Sequence, residues 1–272
     1  MIPNILAIAG SDPSGGAGIQ ADLKAISANR GYGMAAITAL TAQNTRGVQA
    51  VQVVEARIVT AQIASIREDI RVDAVKIGML GTAEIIGAVA QALKGLTAPL
   101  VLDPVMVAKG GDRLLAAEAV AALRRDLLPC ATVLTPNLPE AADLLGVDEA
   151  RTAAEMQAQA KALLDLGPEA VLLKGGHLAG HASPDLVATR RAMIWLDGAR
   201  YTTRNTHGTG CTLSSALATQ LALGLPVEDA AGAAKTYVAG AIRAADALSV
   251  GSGFGPVHHF QSLWGAYTGD PQ

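Results

Sequence analysis

The stretch "ILAIAGSDPSGGAGIQAD", residues 5–22, decides the fold of this chain. It begins with a short, continuous apolar run, passes through a glycine-rich turn and ends in a helical pattern that starts near residue 16. A strand that is apolar at nearly every position is typical of a parallel sheet that is buried on both faces. The stretch therefore predicts a strand, a turn at the carboxyl end of that strand, and a covering helix.

The same alternation continues along the chain. Further strand-like runs lie at residues 35–41, 74–80, 99–105, 132–137 and 170–176. Helical patterns lie at residues 60–70, 82–94, 113–127, 138–145, 152–166, 210–223 and 227–247. Alternating strands and helices predict a parallel sheet covered by helices. Residues 185–203 differ, because two extended runs around Asp197-Gly198 predict a β-hairpin. With no repeat, linker or low-complexity tract, we expect one domain over residues 1–272.

Composition excludes several classes of protein. The 272 residues are 50% hydrophobic and 17% charged, and the formal net charge of −3 comes from interspersed acids and bases, which argues against nucleic-acid binding. Residues 205–227 form a long stretch without a charged residue, but it is too rich in polar residues and glycine to predict a membrane span. The N-terminus lacks a basic signal-peptide region, and two cysteines make neither a disulfide framework nor a zinc site. We therefore expect a cytoplasmic protein.

Conspicuous residues follow the predicted strands. Ligands of open α/β sheets bind beyond the carboxyl ends of the strands, so these residues are expected to share one site. They are Gly10 to Gly18, Gln43, Asn44, Gly78, Met79, Asp103, Asn137 and Lys174.

The stretch "NTHGTGCTLSSA", residues 205–216, predicts an anion site. Gly208 and Gly210 flank Thr209 where a helix begins. A helix start presents unpaired N–H groups and about half a positive charge, and glycine lets an anion approach closely. Cys211 follows, where the helix dipole is expected to lower the thiol pKa. The alternative is that Cys211 is merely a small residue beside a ligand, and spacing alone does not choose between them.

Two acidic positions suggest a magnesium site. Asp103 ends the strand-like run at 99–105, and Glu140 follows Asn137 at a turn into a helix. Magnesium binds a few carboxylates and keeps waters that bridge to phosphate oxygens. Taken alone, Asn137 and Glu140 are better explained as a helix capping box, and Asp103 could equally be a turn-forming acid.

Other motifs do not fit their usual functions. Gly16, Gly18 and Ala21 have the spacing of a dinucleotide fingerprint, but no acid follows the second strand until Glu55. No Gly-Lys-Ser/Thr sequence exists, which excludes a Walker A loop. Glycines around His177 and His181 argue against a helical metal site. These histidines and the His258-His259 pair in the C-terminal tail are expected to be surface or loop residues.

Taken together, the motifs resemble a known family. In order they are "AGSDPSGGAGIQADLK", "ITALTAQNTRGV", "KIGMLG", "VLDPVMVAKGG", "LTPNLPEA", "LLKGGH", "NTHGTGCTLSSA" and "GPVHHF". From Ala9 to Phe260 they are similar to the hydroxymethylpyrimidine/phosphomethylpyrimidine kinases of thiamine biosynthesis, which belong to the ribokinase-like family. The resemblance implies a three-layer α/β/α fold with a mostly parallel central sheet, a small β hairpin and no large lid.

The resemblance also implies roles for individual residues. Phosphorylation by ATP and Mg²⁺ of 4-amino-5-hydroxymethyl-2-methylpyrimidine, and then of its monophosphate, would take place at one site. The anion hole would be Gly208, Thr209, Gly210 and the N–H of Cys211. Gln43 would hold the pyrimidine, Asp22 would approach its hydroxymethyl group, and Gly10, Met79 and Val107 would line the pocket. The nucleotide and magnesium side would use Asp103, Asn137, Glu140 and Lys174.

The resemblance leaves some questions open. Many ribokinase-like proteins have Asp at the position of Cys211, so a role of this thiol as a base is a hypothesis. Pyridoxal kinase of the same fold and a non-catalytic vitamin- or nucleotide-binding regulator are the alternative functions. The resemblance further implies a homodimer that acts on a small molecule, with neither nucleic acid nor a membrane as partner.

Overall fold

A computed structural model describes residues 1–106, 116–178, 180 and 182–264. The strands are β1 (Asn4–Ala9), β2 (Tyr32–Ile37), β3 (Ala39–Asn44), β4 (Gly47–Val53), β5 (Ala74–Ile77), β6 (Leu100–Leu102), β7 (Val133–Leu134), β8 (Ala170–Lys174), β9 (Asp185–Thr189) and β10 (Met193–Leu196). The helices are α1 (Gly18–Ala28), α2 (Ala56–Asp69), α3 (Ala83–Ala92), α4 (Ala117–Ala122), α5 (Leu138–Leu145), α6 (Ala153–Leu164), α7 (Thr209–Ala222) and α8 (Val227–Arg243). Short helical turns cover Leu123–Leu127, Leu128–Cys130 and Ala245–Ala247.

An eight-stranded sheet organises the chain, in the order β10-β9-β8-β7-β6-β5-β1-β2. Along this order, neighbouring strands from β8 through β7, β6, β5 and β1 to β2 pair in parallel. β9 is antiparallel to both β8 and β10. The predicted mostly parallel α/β sheet is confirmed. All parallel strands end at the same edge, so the loops that follow them meet there.

Helices cover both faces of this sheet, as the alternation along β1 illustrates. Leu6 and Ile8 belong to an apolar cluster with residues of α2, α3, α4, α5 and α6. Ile5 and Ala7 belong to a second cluster with residues of α1, α7 and α8. Successive side chains of a strand point to opposite faces, so a strand that is apolar at every position needs two covering layers. The result is the three-layer arrangement.

The predicted strand at 35–41 is in fact two strands that are separated at Thr38. The N–H of Thr38 donates to Ala9 O at 3.0 Å, its carbonyl accepts from the N–H of Val54 at 2.9 Å, and its hydroxyl donates to Met79 O at 2.7 Å. These long-range bonds redirect the chain. β3 and β4 then form a separate two-stranded antiparallel sheet near the carboxyl edge of the main sheet.

The predicted hairpin exists, but its turn is not at Asp197-Gly198. β9 and β10 are joined through residues 190–192, where the Thr189 hydroxyl accepts from the N–H groups of Arg191 and Ala192 at 3.3 and 3.1 Å. Gly198 lies beyond β10, where a β-carbon would stand 2.8 Å from Ser183 O. This glycine therefore permits close backbone contact. Within the described part of the chain, no helix is long and apolar enough to cross a membrane.

The C-terminal tail is fixed to the start of α7 by His259. This side chain is 4% exposed, and its Nε2 lies 3.0 Å from the hydroxyl of Thr212, which itself donates to Gly208 O. Burial, and to a smaller extent Lys24 and His258, lowers the pKa of His259 to about 3. The folded protein therefore holds a neutral imidazole, contrary to the expectation of a surface histidine.

We predict that His259 makes the protein sensitive to mild acid. The unfolded chain protonates this histidine near pH 6.5, so acidification through that value favours unfolding. Between about pH 7.5 and pH 5.5 the free energy of unfolding should fall by about 1 kcal/mol more in the natural protein than in His259→Gln. The glutamine retains an N–H donor for Thr212. Urea denaturation at both pH values measures the difference, and identical losses in the two proteins would contradict the prediction.

Candidate active site

A cavity of about 630 Å³ lies beyond the carboxyl ends of the parallel strands. Residues from widely separated motifs line it together. Those predicted from the sequence are Gly10, Gln43, Met79, Asp103, Asn137, Glu140, Lys174, Gly208, Thr209, Gly210 and Cys211. The predicted Val107 lies outside the described residues. One cavity therefore brings together the glycine-rich turns, the acidic residues and the Gln43 strand.

Two glycine-rich turns pack directly against each other at the base of this cavity. Gly208 has a φ of 76°, and a β-carbon at this position would overlap the carbonyl oxygen of Gly16. Gly18 has a φ of 54°, and a β-carbon there would overlap the carbonyl oxygen of Gly10. Only glycine meets both requirements, a left-handed backbone and contact without a side chain. The contact of Gly208 with Gly16 holds the start of α7 against the turn after β1, and the contact of Gly18 with Gly10 closes that turn on itself.

The first turn of α7 presents unpaired N–H groups to the cavity. The N-terminal cap of this helix is Gly208, and no side chain of the described residues caps it. The N–H of Thr209 has one long contact, to Thr206 O at 3.4 Å, and those of Gly210 and Cys211 donate to no described residue. These groups and the helix dipole favour an anion at this position.

A buried acidic corner with a lysine in it lies beside the first turn of α7, where a β-carbon on Gly210 would stand 3.5 Å from both Asp103 Oδ2 and Lys174 Nζ. Lys174 Nζ lies 3.1 Å from Asp103 Oδ1 and 3.8 Å from Glu140 Oε2. Asp103 also accepts from the hydroxyls of Thr135 at 3.2 Å and Ser214 at 3.3 Å. Burial on its own would lower the pKa of Lys174, but the carboxylates of Asp103 and Glu140 outweigh it and raise that pKa. The lysine thus stays charged.

Glu140 has a structural role as well as a place in the cavity wall. It forms the capping box of α5 with Asn137, in which each side chain accepts from the other residue's backbone N–H at 2.8 Å. The alternative explanation of this motif is therefore confirmed, although both side chains also line the cavity. Burial, reinforced by the nearby Asp103, raises the pKa of Glu140 to about 7.

The acidic corner is compatible with a hydrated divalent cation. No group of three or more His, Cys, Asp or Glu suited to a metal occurs among the described residues. Asp103 and Glu140 nevertheless supply two carboxyl groups beside a single lysine, and a bound cation would favour the ionised form of Glu140. Magnesium commonly uses one or two protein carboxylates and completes its shell with water and phosphate oxygens. The residues present fit that pattern.

Cys211 does not have the lowered pKa expected from its place at a helix start. Burial raises the pKa of its thiol to about 11, against the opposing effects of Lys76 and of the Gly18 N–H. Removal of the sulfur from water disfavours the thiolate more than the nearby positive charge favours it. At neutral pH the residue is therefore a neutral thiol.

The structure corrects the expectation that Asp22 contacts the substrate. Asp22 is fully buried behind the cavity, where both carboxylate oxygens accept from Lys76 Nζ, at 2.7 and 2.9 Å. The hydroxyl of Ser215 also donates to it, at 2.8 Å. Burial on its own would lower the pKa of Lys76, but Asp22 outweighs it and raises that pKa. This ion pair joins α1, β5 and α7 and supports the site from behind.

Gln43 projects from β3 into the cavity, next to an apolar wall. Val48 and Val51 of β4 and Met79 line the cavity with it. Val51 is 48% exposed, which is high for a large aliphatic side chain in a strand. The combination of one amide and several apolar groups suits a flat heteroaromatic ring.

Sequence reasoning gave no individual role to several residues that the structure places at or behind the cavity. Asp12 and His207 form a buried pair, with 2.7 Å between Oδ2 and Nε2. The sequence feature that could have identified them is that each lies inside a glycine-rich motif, Asp12 in "GSDPSGG" and His207 in "NTHGTGC". Lys76 stood out as the one charge in an apolar run. His177 lines the cavity, whereas its predicted neighbour His181 lies outside the described residues.

Together, the fold and the cavity define a small-molecule phosphotransferase of the ribokinase-like type. A family model described as phosphomethylpyrimidine kinase matches residues 12–258, and the chain belongs to this family. The hydroxymethylpyrimidine/phosphomethylpyrimidine kinase of Rhizobium meliloti (strain 1021) is 54% identical over 95% of this chain and 97% of its own. The enzyme of that name from Escherichia coli (strain K12) is 52% identical, over 96% and 98%.

A solved structure agrees with this fold. The ADP complex of Bacillus subtilis pyridoxal kinase is 37% identical, with a TM-score of 0.87 over 96% of this chain and 98% of its own. The resemblance to the kinase family and the ribokinase-like fold are thereby confirmed.

We predict that the contact between Gly208 and Gly16 is essential for activity. Gly208→Ala should reduce phosphoryl transfer by about 100-fold or more, because the added methyl group forces the two turns apart and displaces the α7 amides. Gly224→Ala is the matched control, since Gly224 also has a positive φ (91°), but a β-carbon added there would have no neighbour within 4 Å. It should cost about 1–2 kcal/mol of stability and keep the turnover rate. Equal turnover by folded Gly208→Ala would contradict the assignment.

We also predict that Cys211 is a poor nucleophile at neutral pH. With a thiol pKa of about 11, its alkylation by iodoacetamide should be slow at neutral pH and should accelerate about tenfold per pH unit towards pH 10. The exposed Cys130 is the internal reference. Peptide mass spectrometry follows each cysteine separately. Rapid labelling of Cys211 at neutral pH, with no further rise above it, would contradict the raised pKa.

Proposed function

We propose that this chain uses ATP and Mg²⁺ to phosphorylate 4-amino-5-hydroxymethyl-2-methylpyrimidine to its monophosphate and then to the diphosphate, in thiamine biosynthesis. The observation that carries the proposal is the single cavity that joins the open amides of α7, the acidic corner and the Gln43 wall. The names of the bacterial relatives support the same substrate.

The substrate end of the cavity would be the wall formed by Gln43, Met79 and the valines of β4. A carboxamide both donates and accepts hydrogen bonds. Gln43 can therefore pair with the exocyclic amino group and the adjacent ring nitrogen of an aminopyrimidine. The methyl and apolar ring atoms would contact Val48 and Val51. Gly10 lets the methyl group of Met79 pack against its backbone, because a β-carbon there would overlap that methyl group.

The transfer end would be the start of α7. The amides of Gly208 to Cys211 would bind the transferring phosphoryl group, whose oxygens carry increasing negative charge in the transition state. Lys174 lies beside this turn, where it can neutralise phosphate charge, and Asn137 is bridged to it through the backbone. Asp103 and Glu140 would hold a hydrated Mg²⁺ bound to the nucleotide, and this ion would supply charge neutralisation. The nucleotide itself is supported by the relative that was solved as an ADP complex.

Cys211 would contribute its backbone N–H and its small size more than a thiolate. Phosphoryl transfer gains mainly from positioning and charge neutralisation, and little from early removal of the hydroxyl proton. A thiol with a pKa of about 11 is almost entirely protonated at neutral pH, so very little thiolate is present to act as a base. Cys211→Ser with nearly full turnover would remove the base role altogether.

Pyridoxal kinase is the second candidate function. The 37% identity with the Bacillus subtilis pyridoxal kinase, across almost the whole chain, favours this activity as an addition or an alternative. A non-catalytic binding regulator has no specific observation in its favour. We further propose a homodimer, because β3 and β4 pair only with each other among the described residues and a two-stranded ribbon is marginally stable alone. Light scattering tests this state.

The test of the proposed function is product identification. The protein is incubated with ATP, Mg²⁺ and either the aminopyrimidine alcohol or pyridoxal. The products are then separated and identified by mass spectrometry. We expect the pyrimidine monophosphate to form first and the diphosphate to follow. Exclusive phosphorylation of pyridoxal would favour the second candidate, and no transfer to either substrate would refute a catalytic role.

A variant of Gln43 tests the substrate end separately. Gln43→Leu removes both hydrogen bonds to the ring and should raise the KM for the pyrimidine by about tenfold or more. The KM for ATP should stay within about twofold, because Gln43 is remote from the acidic corner in sequence and in its contacts. An unchanged KM for the pyrimidine would refute the assignment of Gln43.

A further inference from the structure

The buried pair of Asp12 and His207 has no part in the proposed transfer, yet it stands beside Gln43. The distance from His207 Nε2 to Asp12 Oδ2 is 2.7 Å, and from the same nitrogen to Gln43 Nε2 it is 3.4 Å. Asp12 belongs to the turn after β1, His207 to the turn before α7 and Gln43 to β3. Three separate elements therefore meet in one polar contact.

Donors surround the carboxylate of Asp12. Its Oδ1 accepts from the N–H and the hydroxyl of Ser14 at 2.9 and 2.6 Å, and its Oδ2 accepts from the N–H of Ala17 at 2.8 Å. Burial on its own would raise the pKa of Asp12, but hydrogen bonds from His207 and Ser14 outweigh it and lower that pKa. An ionised carboxylate only accepts hydrogen bonds, so Nε2 of His207 carries a hydrogen.

This hydrogen determines which end of the Gln43 carboxamide can face His207. A protonated imidazole nitrogen cannot accept from the amide NH₂ group. Its one hydrogen is directed mainly to Asp12 Oδ2, so the end of the carboxamide that stands 3.4 Å away must be the oxygen, which takes the minor share of a three-centre hydrogen bond. Thr41 imposes the same orientation from the other side. Its hydroxyl gives its one hydrogen to Ser11 O at 2.9 Å and lies 3.3 Å from Gln43 Oε1. The Thr41 hydroxyl can therefore only accept a hydrogen bond from the amide, which requires the NH₂ group on that side. A 180° rotation of the Gln43 carboxamide places its oxygen towards His207 and its NH₂ group towards Thr41, so both contacts are then complementary.

We propose that Asp12 and His207 are positioning residues that hold the Gln43 carboxamide with its oxygen towards His207 and its NH₂ group towards Thr41, and so select how the substrate ring binds. This inference rests on the proposed function, in which Gln43 pairs with an aminopyrimidine.

The orientation has a consequence for the reacting hydroxyl. After these two contacts the amide oxygen keeps one lone pair for the substrate amino group, and the nitrogen keeps one hydrogen for the ring nitrogen. In the aminopyrimidine alcohol, the hydroxymethyl carbon is attached next to the amino carbon, on the side away from that ring nitrogen. An amino group on the His207 side therefore directs the hydroxymethyl group towards Gly208–Cys211, which His207 directly precedes. The opposite amide orientation would direct it away.

A matched pair of variants tests the positioning role. His207→Leu removes the N–H donor, whereas His207→Gln retains an N–H at a similar distance from the backbone. We expect His207→Leu to raise the KM for the aminopyrimidine alcohol by about tenfold, the equivalent of one lost hydrogen bond, and His207→Gln to restore most of it. The KM for ATP should stay within about twofold in both. Ser14→Ala is the control, because it changes a partner of Asp12 but leaves the contact with His207.

A substrate analogue distinguishes a positioning role of His207 from a purely structural role in joining the two turns. The alcohol 5-hydroxymethyl-2-methylpyrimidine has no amino group, so the orientation of the amide oxygen no longer matters to it. His207→Leu should leave the KM for this analogue within about twofold. A similar rise for both alcohols, or an equal rise in the KM for ATP, would overturn the proposal and leave the pair as a brace between two turns.

A second variant covers the case in which His207→Leu does not fold. Thr41→Val, on the partly exposed ribbon, removes the lone pair that orients the NH₂ group, and should raise the KM for the aminopyrimidine but not for the analogue. No change in either KM would overturn the proposal. Absence of aminopyrimidine turnover by the natural protein would instead refute the proposed function itself, so the two failures are distinguishable.

Discussion

The site depends on the contact between Gly208 and Gly16. The backbone of one glycine-rich turn lies against the carbonyl oxygen of the other, at a distance that excludes a β-carbon. This contact places the start of α7 beside the turn after β1, so that its amides face the cavity with no close acceptor among the described residues. A polar side chain at the helix cap would have stabilised the helix by about 1 kcal/mol, but it would also have occupied the anion position. Gly208 has no side chain to cap the helix, so the helix lacks that stabilisation and its amides remain available to a ligand.

Buried charges complete the arrangement around that contact. Behind the cavity, Lys76 and Asp22 satisfy each other with no exposure to solvent, and Ser215 of α7 donates to the same carboxylate. Removal of one partner from such a pair leaves an uncompensated charge, which is strongly destabilising. In front, Lys174 lies between Asp103 and Glu140 and lines the cavity. The Lys76–Asp22 pair is closed to the cavity and fixes the helices, whereas Lys174, Asp103 and Glu140 line the cavity and can contact a ligand.

Much of the fold follows from sequence pattern, and the exceptions have identifiable causes. The apolar strands predicted the parallel sheet because burial on both faces removes the usual alternation. The break at Thr38 could not be seen, since the residues on both sides remain apolar and the bonds to Ala9 and Val54 are long-range. The turn after Thr189 was missed because a threonine hydroxyl, and not a glycine pair, stabilises it.

The site shows the same division. Motifs located the glycine-rich turns, the acidic corner and Gln43, because parallel strands end at one edge. They did not locate the lining residues between 183 and 203, which follow no parallel strand. They could not show that Asp22 pairs with Lys76, although an acid on the apolar face of α1 and a lysine within an apolar strand are together the pattern of an internal ion pair. They also could not give the depth at which Cys211 is buried, and this depth outweighs the helix dipole in setting the pKa of its thiol.

The most direct measurement is a crystal structure with ADP, Mg²⁺, aluminium fluoride and the aminopyrimidine alcohol, since aluminium fluoride mimics the phosphoryl group in the transition state of its transfer. The account predicts that its fluorine atoms lie within hydrogen-bonding distance of at least two backbone amides between Gly208 and Cys211, with the alcohol on the Gln43 side. Aluminium fluoride bound away from the first turn of α7, with those amides solvated or turned aside, would contradict the account.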